Sequence, residues 1–434
     1  MSQFPRPLNR RYGTVAAVLL ITIWLWVALD RPYQVRIFSN TGATQSLDPF
    51  DFDPIASEAI KNVCDGTEWN NGLVFTCDES VGGVASVRNS ILNCVRYSIS
   101  AGAALVLPNI VLRDSIDLSK IRTEEKANMS YMFDTKHFLS SLNLSCPTMR
   151  TFYDVNEIDD YQSAHRPVPL LPESLVDDIP STGLPEPENW RRRFDKWLDT
   201  YGTREFDESI IVHLGRSYMQ YPVYSDGEGF AHDFGKILKF RTDVRTLATK
   251  AIKAMGKAWN LKLDLTLPIL PDAFFGCHVQ FVKDVVDNPS TDDWTYTSYA
   301  AQAQFYLDQA PLSDPRVIYA ASGDPDDIAK LKVDAETINM NVTTKYDLLV
   351  GKDLEVLNNL TWDQQAMVDF LILLKASDFG GVSQSAFAWN VALKRHLESE
   401  TMDYLDGGRA LDDEYSTLFG KPRSRPEFPA CLWP

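Results

Sequence analysis

Two serines stand just before an apolar helical stretch late in the chain. Ser383 and Ser385 follow Gly380-Gly381 and precede a segment with Phe387, Val391 and Leu393 at helical spacing. A serine at that position accepts from the free N–H groups of the helix start. Those N–H groups, with the helix dipole, also hold phosphate. Three more blocks carry chemistry-bearing residues. In Val81-Gly82-Gly83-Val84-Ala85-Ser86-Val87-Arg88-Asn89 the glycines let the backbone approach a ligand, and the loop opens a helix. His278 and Gln280 alternate onto one face of a strand near its carboxyl end. Ser322-Gly323-Asp324 ends another strand, where an acid can accept from a ribose or a base edge. Each block also has a plain structural reading. These are a capped helix hairpin, a strand-to-helix turn with an exposed Arg88, a hydrogen-bonded core histidine, and an N-cap before Pro325.

The elements that would position these residues can be read from hydrophobic spacing. Gly72 to Thr76 reads as a strand, and Cys77 to Gly83 as a turn-rich loop. Residues 84 to 101 have Val87, Ile91, Cys94, Val95 and Ile99 on one helical face. Ala104 to Pro108 has the length of a buried strand, which completes a βαβ unit. Residues 167 to 188, rich in Pro and acids, read as a surface loop. Ser209 to Leu214 reads as a strand and Phe240 to Trp259 as a helix. A second α/β region begins near Leu261, with strands at Ala273 to Phe281 and Val317 to Ala321. Leu360 to Lys375 reads as an apolar helix, and Gly380-Gly381 as the turn after it. The expectation is an α/β protein of two Rossmann-like lobes facing each other across a cleft. The first covers residues 56–260 and the second residues 261–434.

These blocks, with Phe274-Phe275-Gly276-Cys277-His278-Val279-Gln280 and Val317-Ile318-Tyr319-Ala320-Ala321, resemble in order and spacing the GDP-fucose protein O-fucosyltransferase superfamily. The branch of fungal O-fucosyltransferase-like membrane proteins is the most similar. The likeness runs from about Val74 to His396. It implies a GT-B arrangement of the two lobes and an inverting, metal-independent transfer of fucose from GDP-fucose to a hydroxyl of a protein, glycan or secreted metabolite. The donor is a substrate, and no cofactor is implied. By the same resemblance Gly82, Gly83, Arg88 and Asn89 form the N-terminal glycine-rich loop. Ser383, Ser385 and Phe387 line the diphosphate and base, with Asp369 on the preceding helix. Asp324 joins the nucleotide site, and His278, Gln280 and Lys283 stand at the reacting centre. One departure matters. The family usually has His-x-Arg at 278–280, its arginine binding the β-phosphate, and here the third residue is Gln280. The charge can come from Lys283 or Arg88, or it is lost. The second case leaves a pseudo-enzyme that binds a GDP-sugar or a glycoprotein without transfer.

Composition sets the compartment. The chain has 434 residues, 44% hydrophobic and 23% charged, enough for two domains with sizeable cores. A net charge of −17 argues against a nucleic-acid partner. Tyr12 to Leu29 carries no charge and spans about 27 Å as a helix. Arg6, Arg10 and Arg11 precede it, so residues 1–11 read as a cytosolic tail and 12–29 as a retained anchor. Residues 30–55 read as a stem, and the rest as lumenal in the Golgi or endoplasmic reticulum. Six cysteines suit an oxidising lumen, with Cys277 in a predicted core strand read as a buried free thiol. Sequons at Asn128, Asn143, Asn341 and Asn359 agree with that topology. Asp51-Phe52-Asp53 has the form of a metal-holding pair, but it lies in the stem and reads as chance; no metal site is expected.

Overall fold

The computed structural model describes residues 48–434 except 115–119, 159–166, 177, 179, 201–208, 219, 281–295, 297, 311–315, 400–411 and 421–426. The expected anchor and most of the stem lie outside the described residues. Among the described residues no helix is long and apolar enough to cross a membrane.

Two five-stranded sheets organise the rest. In the first lobe the strands are β1 (Leu73–Thr76), β2 (Ala104–Val106), β3 (Thr151–Phe152), β4 (Val168–Leu170) and β5 (Ile210–Leu214). They lie in the order β3-β2-β1-β5-β4, all parallel. Helix α1 (Val84–Ala101) joins β1 to β2, and α2 (Thr242–Ala258) follows the sheet. The second lobe runs β6 (Phe275–His278), α3 (Tyr299–Gln309), β7 (Val317–Ala321), α4 (Pro325–Glu336) and β8 (Asn341–Thr343). It continues with α5 (Lys345–Leu348), α6 (Trp362–Leu374), β9 (Asp378–Val382), α7 (Ala386–His396) and β10 (Ser416–Phe419). Its order is β8-β7-β6-β9-β10, again all parallel. This is the doubly wound order, with the reversal between β6 and β9. The strands are apolar runs because both faces of a parallel sheet are covered; every residue of β1 and of β7 is buried.

The two lobes share one hydrophobic core that runs from Phe50 to Trp433. Helix α2 packs along α6. The closing residues return to the first lobe, where Trp433 meets Phe234 at 4.8 Å and Phe230 at 5.8 Å between ring centres. A boundary at residue 260 therefore separates the sheets but not the packing. Residues 48–55, expected as stem, pack on the body: Phe50 is buried, Ser141 accepts from the Ile55 N–H, and Lys239 and Arg245 hold Asp51. Disulfides join Cys64 to Cys146 and Cys77 to Cys94; Cys277 and Cys431 are buried thiols.

Two expectations change. The predicted loop 167–188 contains β4, with Pro169 at its centre. β4 is an edge strand, so the missing proline N–H costs no ladder bond on its open side. The Gly380-Gly381 turn is instead the middle of β9, hydrogen-bonded on both sides. The glycines serve close packing there. A Cβ on Gly380 would stand 2.9 Å from Phe275, and one on Gly381 2.6 Å from the Ala388 Cβ. We expect Gly381→Ala to cost about 1–3 kcal/mol by overpacking, read as a lower urea midpoint with an unchanged m-value. An unchanged midpoint would show that the α7 contact gives way freely.

Candidate functional site

Both sheets turn their carboxyl ends toward one cavity of about 800 Å³. That size suits a nucleotide-sugar-sized ligand. From the first lobe it is lined by Gly83 to Ser86, Arg113 and Tyr218; from the second by the ends of β6 and β7 and the starts of α4, α5, α6 and α7.

The crevice between β6 and β9 holds a histidine beside a serine. His278 ends β6, and its Nδ1 lies 3.4 Å from Ser385 Oγ. Phe387 packs on the imidazole at 4.6 Å between ring centres. The ring keeps a side open to the cavity, yet the surrounding protein lowers its pKa to about 4 by desolvation. At pH 7 it is neutral. Ser385 caps α7, its Oγ accepting from Ala388 N–H. The first-turn residues Ala386 and Phe387 line the cavity at the positive end of the helix dipole. Gln280 lines the same wall. Its backbone is pinned by Gln302 in both directions, at 2.7 and 2.9 Å. Its Oε1 is buried without a hydrogen-bond partner among the described residues. A ligand donor would satisfy it.

Asp369 on α6 lines the far end. It accepts from Tyr319 at 2.6 Å and from Lys345, which opens α5. Both members of the ion pair are buried, and burial, with the neighbouring Asp369, raises the Tyr319 pKa. Trp362, at the start of α6, lies against Gly323, where a Cβ would meet its ring at 3.0 Å. Arg113 stacks on the other residues of this corner: its guanidinium carbon is 4.8 Å from the centre of the Trp362 ring, and Nε is 3.6 Å from Asp363.

The sequence-based residues divide. Gly83, His278, Gln280, Asp369, Ser385 and Phe387 line the cavity. Gly82 supports it with φ +107°, a conformation that favours glycine. Arg88 and Asn89 turn away and clasp the last residues of the chain. Arg88 donates to the carbonyls of Trp433, Gly235 and Pro434, and Asn89 pairs with the backbone of Cys431 and Trp433. A buried guanidinium has five N–H groups to satisfy, and these oxygens take three of them. Asp324 caps α4 by accepting from Asp326 N–H at 2.8 Å and does not line the cavity. Ser383 does not line it either: it is buried, its carbonyl accepting from the Trp389 indole N–H. Arg395 on α7 is buried against the carbonyls of Leu374, Ala376, Ser377 and Tyr415. Lys283 lies outside the described residues. Arg113, Tyr218, Lys345 and Trp362 were not anticipated. Lys345 was the legible one, since it follows a short strand whose first residue, Asn341, was read only as a sequon.

Residues 73–398 match the sequence model of the family described as GDP-fucose protein O-fucosyltransferase. The chain belongs to that family. Among solved structures, POFUT1 in complex with GDP is similar over 82% of this chain and 100% of its own, at 13% identity and a TM-score of 0.46. A mutant form of Arabidopsis thaliana FUT1 in complex with GDP is similar over 78% of this chain and 71% of its own (12% identity, TM-score 0.39). The α-1,6-fucosyltransferase NodZ soaked with GDP-fucose covers 75% and 92% (12% identity, TM-score 0.37). No curated protein sequence matches.

The enclosure of His278 sets a pH dependence. A folded pKa near 4, below the unfolded value of about 6.5, means that the folded state resists protonation. The stability is present above pH 6.5 and is lost as pH falls from there toward 4. We expect His278→Gln to lose less melting temperature than the unaltered chain between pH 7.5 and 4.5. Equal losses would mean that the ring is open to water.

Proposed function

We propose that the chain is a glycosyltransferase that moves fucose from GDP-fucose to a hydroxyl acceptor, with inversion and without a metal ion. Family membership supports the donor class. The observation that carries the reading for this chain is the crevice between β6 and β9, where His278, Gln280 and the start of α7 converge on one cavity. The α7 N–H groups would receive the diphosphate. The far end, with Tyr346, Lys345 and Asp369, has an aromatic face and paired hydrogen-bonding groups that suit a nucleobase. The acceptor would enter from the first lobe, past Tyr218 and Ser86, and its hydroxyl would attack the anomeric carbon as GDP leaves. Asp51, of the Asp51-Phe52-Asp53 pair, is engaged by Lys239 and Arg245 away from this cavity.

One observation favours a second reading. Gln280 brings no charge to the wall where the leaving group would develop one, and such stabilisation is often the largest catalytic term. A protein of this fold that binds a GDP-sugar without transferring it is the consequence. Release of fucose or its transfer in a donor screen separates the two.

For topology, we propose a type II protein with its site in the lumen of the Golgi or endoplasmic reticulum. Asn128, Asn143, Asn341 and Asn359 are all exposed, and the two disulfides suit an oxidising compartment. Glycosidase treatment should increase the gel mobility of the protein from its native host. Unchanged mobility counts against the lumenal assignment.

GDP should raise the melting temperature of the chain in the presence of a chelator. At a ligand concentration one hundred times Kd the stabilisation is about 2.7 kcal/mol. A shift that appears only with added Mn²⁺, or none at millimolar GDP, speaks against the donor assignment.

A further inference from the structure

We propose that Arg113 is the cation that grips the donor's diphosphate, reaching it from the lobe opposite α7. This rests on the GDP-sugar reading above. The wall formed by β6 and α7 offers the diphosphate N–H groups and uncharged side chains: His278 is neutral at pH 7, and Gln280, Ser385 and Phe387 carry no charge. A doubly anionic group in a water-poor site calls for a full positive charge as well. Among the described residues three cations line the cavity: Arg113, Lys332 and Lys345. Each has a carboxylate neighbour, Asp363, Asp347 and Asp369 respectively. What separates them is shape and side.

Both lysines come from the second lobe, Lys332 from α4 and Lys345 from just after β8. Lys345 is a buried point charge held by Asp369, and Lys332 is partly exposed. Arg113 comes from the first lobe, beyond the hairpin strand Ile110–Val111. Its guanidinium lies on Trp362 and faces the glycine-rich loop, where a Cβ on Gly83 would stand 3.7 Å from Nη2. A planar fork can give phosphate two parallel N–H bonds, which an ammonium cannot. Trp362 and Asp363 fix the plane of that fork before any ligand arrives, which lowers the ordering cost of binding. Gly83, lacking a side chain, leaves room for the phosphate beside it.

The test compares GDP with guanosine, which keeps the base and ribose and lacks the phosphates. Calorimetry is run on the full chain with a chelator present. In Arg113→Gln we expect GDP to bind about ten- to a hundredfold more weakly, with guanosine affinity within about twofold of the unaltered chain. Arg113→Lys keeps the charge without the fork and should fall between, and it carries the test if Arg113→Gln does not fold. A GDP-to-guanosine ratio equal to that of the unaltered chain in the variants overturns the proposal alone. Failure of the unaltered chain to bind GDP overturns the donor reading and this proposal together.

Discussion

The reversal of strand order between β6 and β9 is the constraint on which the site depends. The two strands are neighbours, but the chain leaves them in opposite directions, β6 toward β7 and β9 toward β10. At such a switch point the connections diverge from the gap at the carboxyl ends of the strands. The strand ends and the α7 start are therefore left facing a crevice. The neighbourhood is tight only because β9 carries Gly380 and Gly381. Side chains there would meet Phe275 and Tyr306 on one face and Ala388 and Leu418 on the other. Close packing of α7 on β9 is what brings Ser385 within 3.4 Å of His278. A wider strand would move the helix N-terminus away from the histidine, and the anion-attracting end would no longer converge with it.

Charge inside this enclosure is managed in two ways. Lys345 and Asp369 neutralise one another, and Tyr319 fills a further acceptor site on the carboxylate. A buried pair of this kind yields little net stability, because desolvation of both ions offsets their attraction; removing one partner costs about 3–5 kcal/mol. Such a pair is a preorganised donor beside an acceptor, already stripped of water. His278 takes the other course and remains uncharged. Its Nδ1 faces Ser385, and its carbonyl accepts from Tyr306 at 2.6 Å. The imidazole is thus fixed from backbone and side chain alike, and Phe387 closes one face.

Much of the fold was legible because parallel strands are short apolar runs and the helices between them keep a 3.6 period. Residues 84–101 and 317–321 were read to the residue. Failures came where a residue's local signal pointed one way and the packing another. Paired glycines signal a turn, but between two parallel neighbours they signal close approach. A proline within an acidic segment signals a loop, but at a sheet edge it is tolerated. In the site, His278 and Ser385 were legible from position on their elements, and Asp369 from the family resemblance. Arg113 and Trp362 were not, because their juxtaposition is made by the meeting of two lobes 249 residues apart in sequence, and no local pattern encodes it.

Arg88 shows why a matching residue type does not carry its role with it. It lies one turn after the glycine-rich loop, yet its guanidinium is fully enclosed by the carbonyls of Gly235, Trp433 and Pro434. Burial lowers its pKa to about 9, so it remains charged at pH 7. Turning it toward the cavity would break three charge-assisted bonds, each contributing about 1.5–3 kcal/mol, and leave buried carbonyls unpaired. Asn89 and Asn93 hold the same segment through the Trp433 backbone and indole N–H. Helix α1 has become the dock for the returning segment, and its arginine belongs to that dock. Positive charge at the cavity then has to come from residues outside the loop. Arg113 meets that demand from the first lobe without disturbing the clasp, because its anchor points, Trp362 and Asp363, open helix α6 of the other lobe. One arginine ties the lobes together behind the loop; the other faces the ligand in front of it.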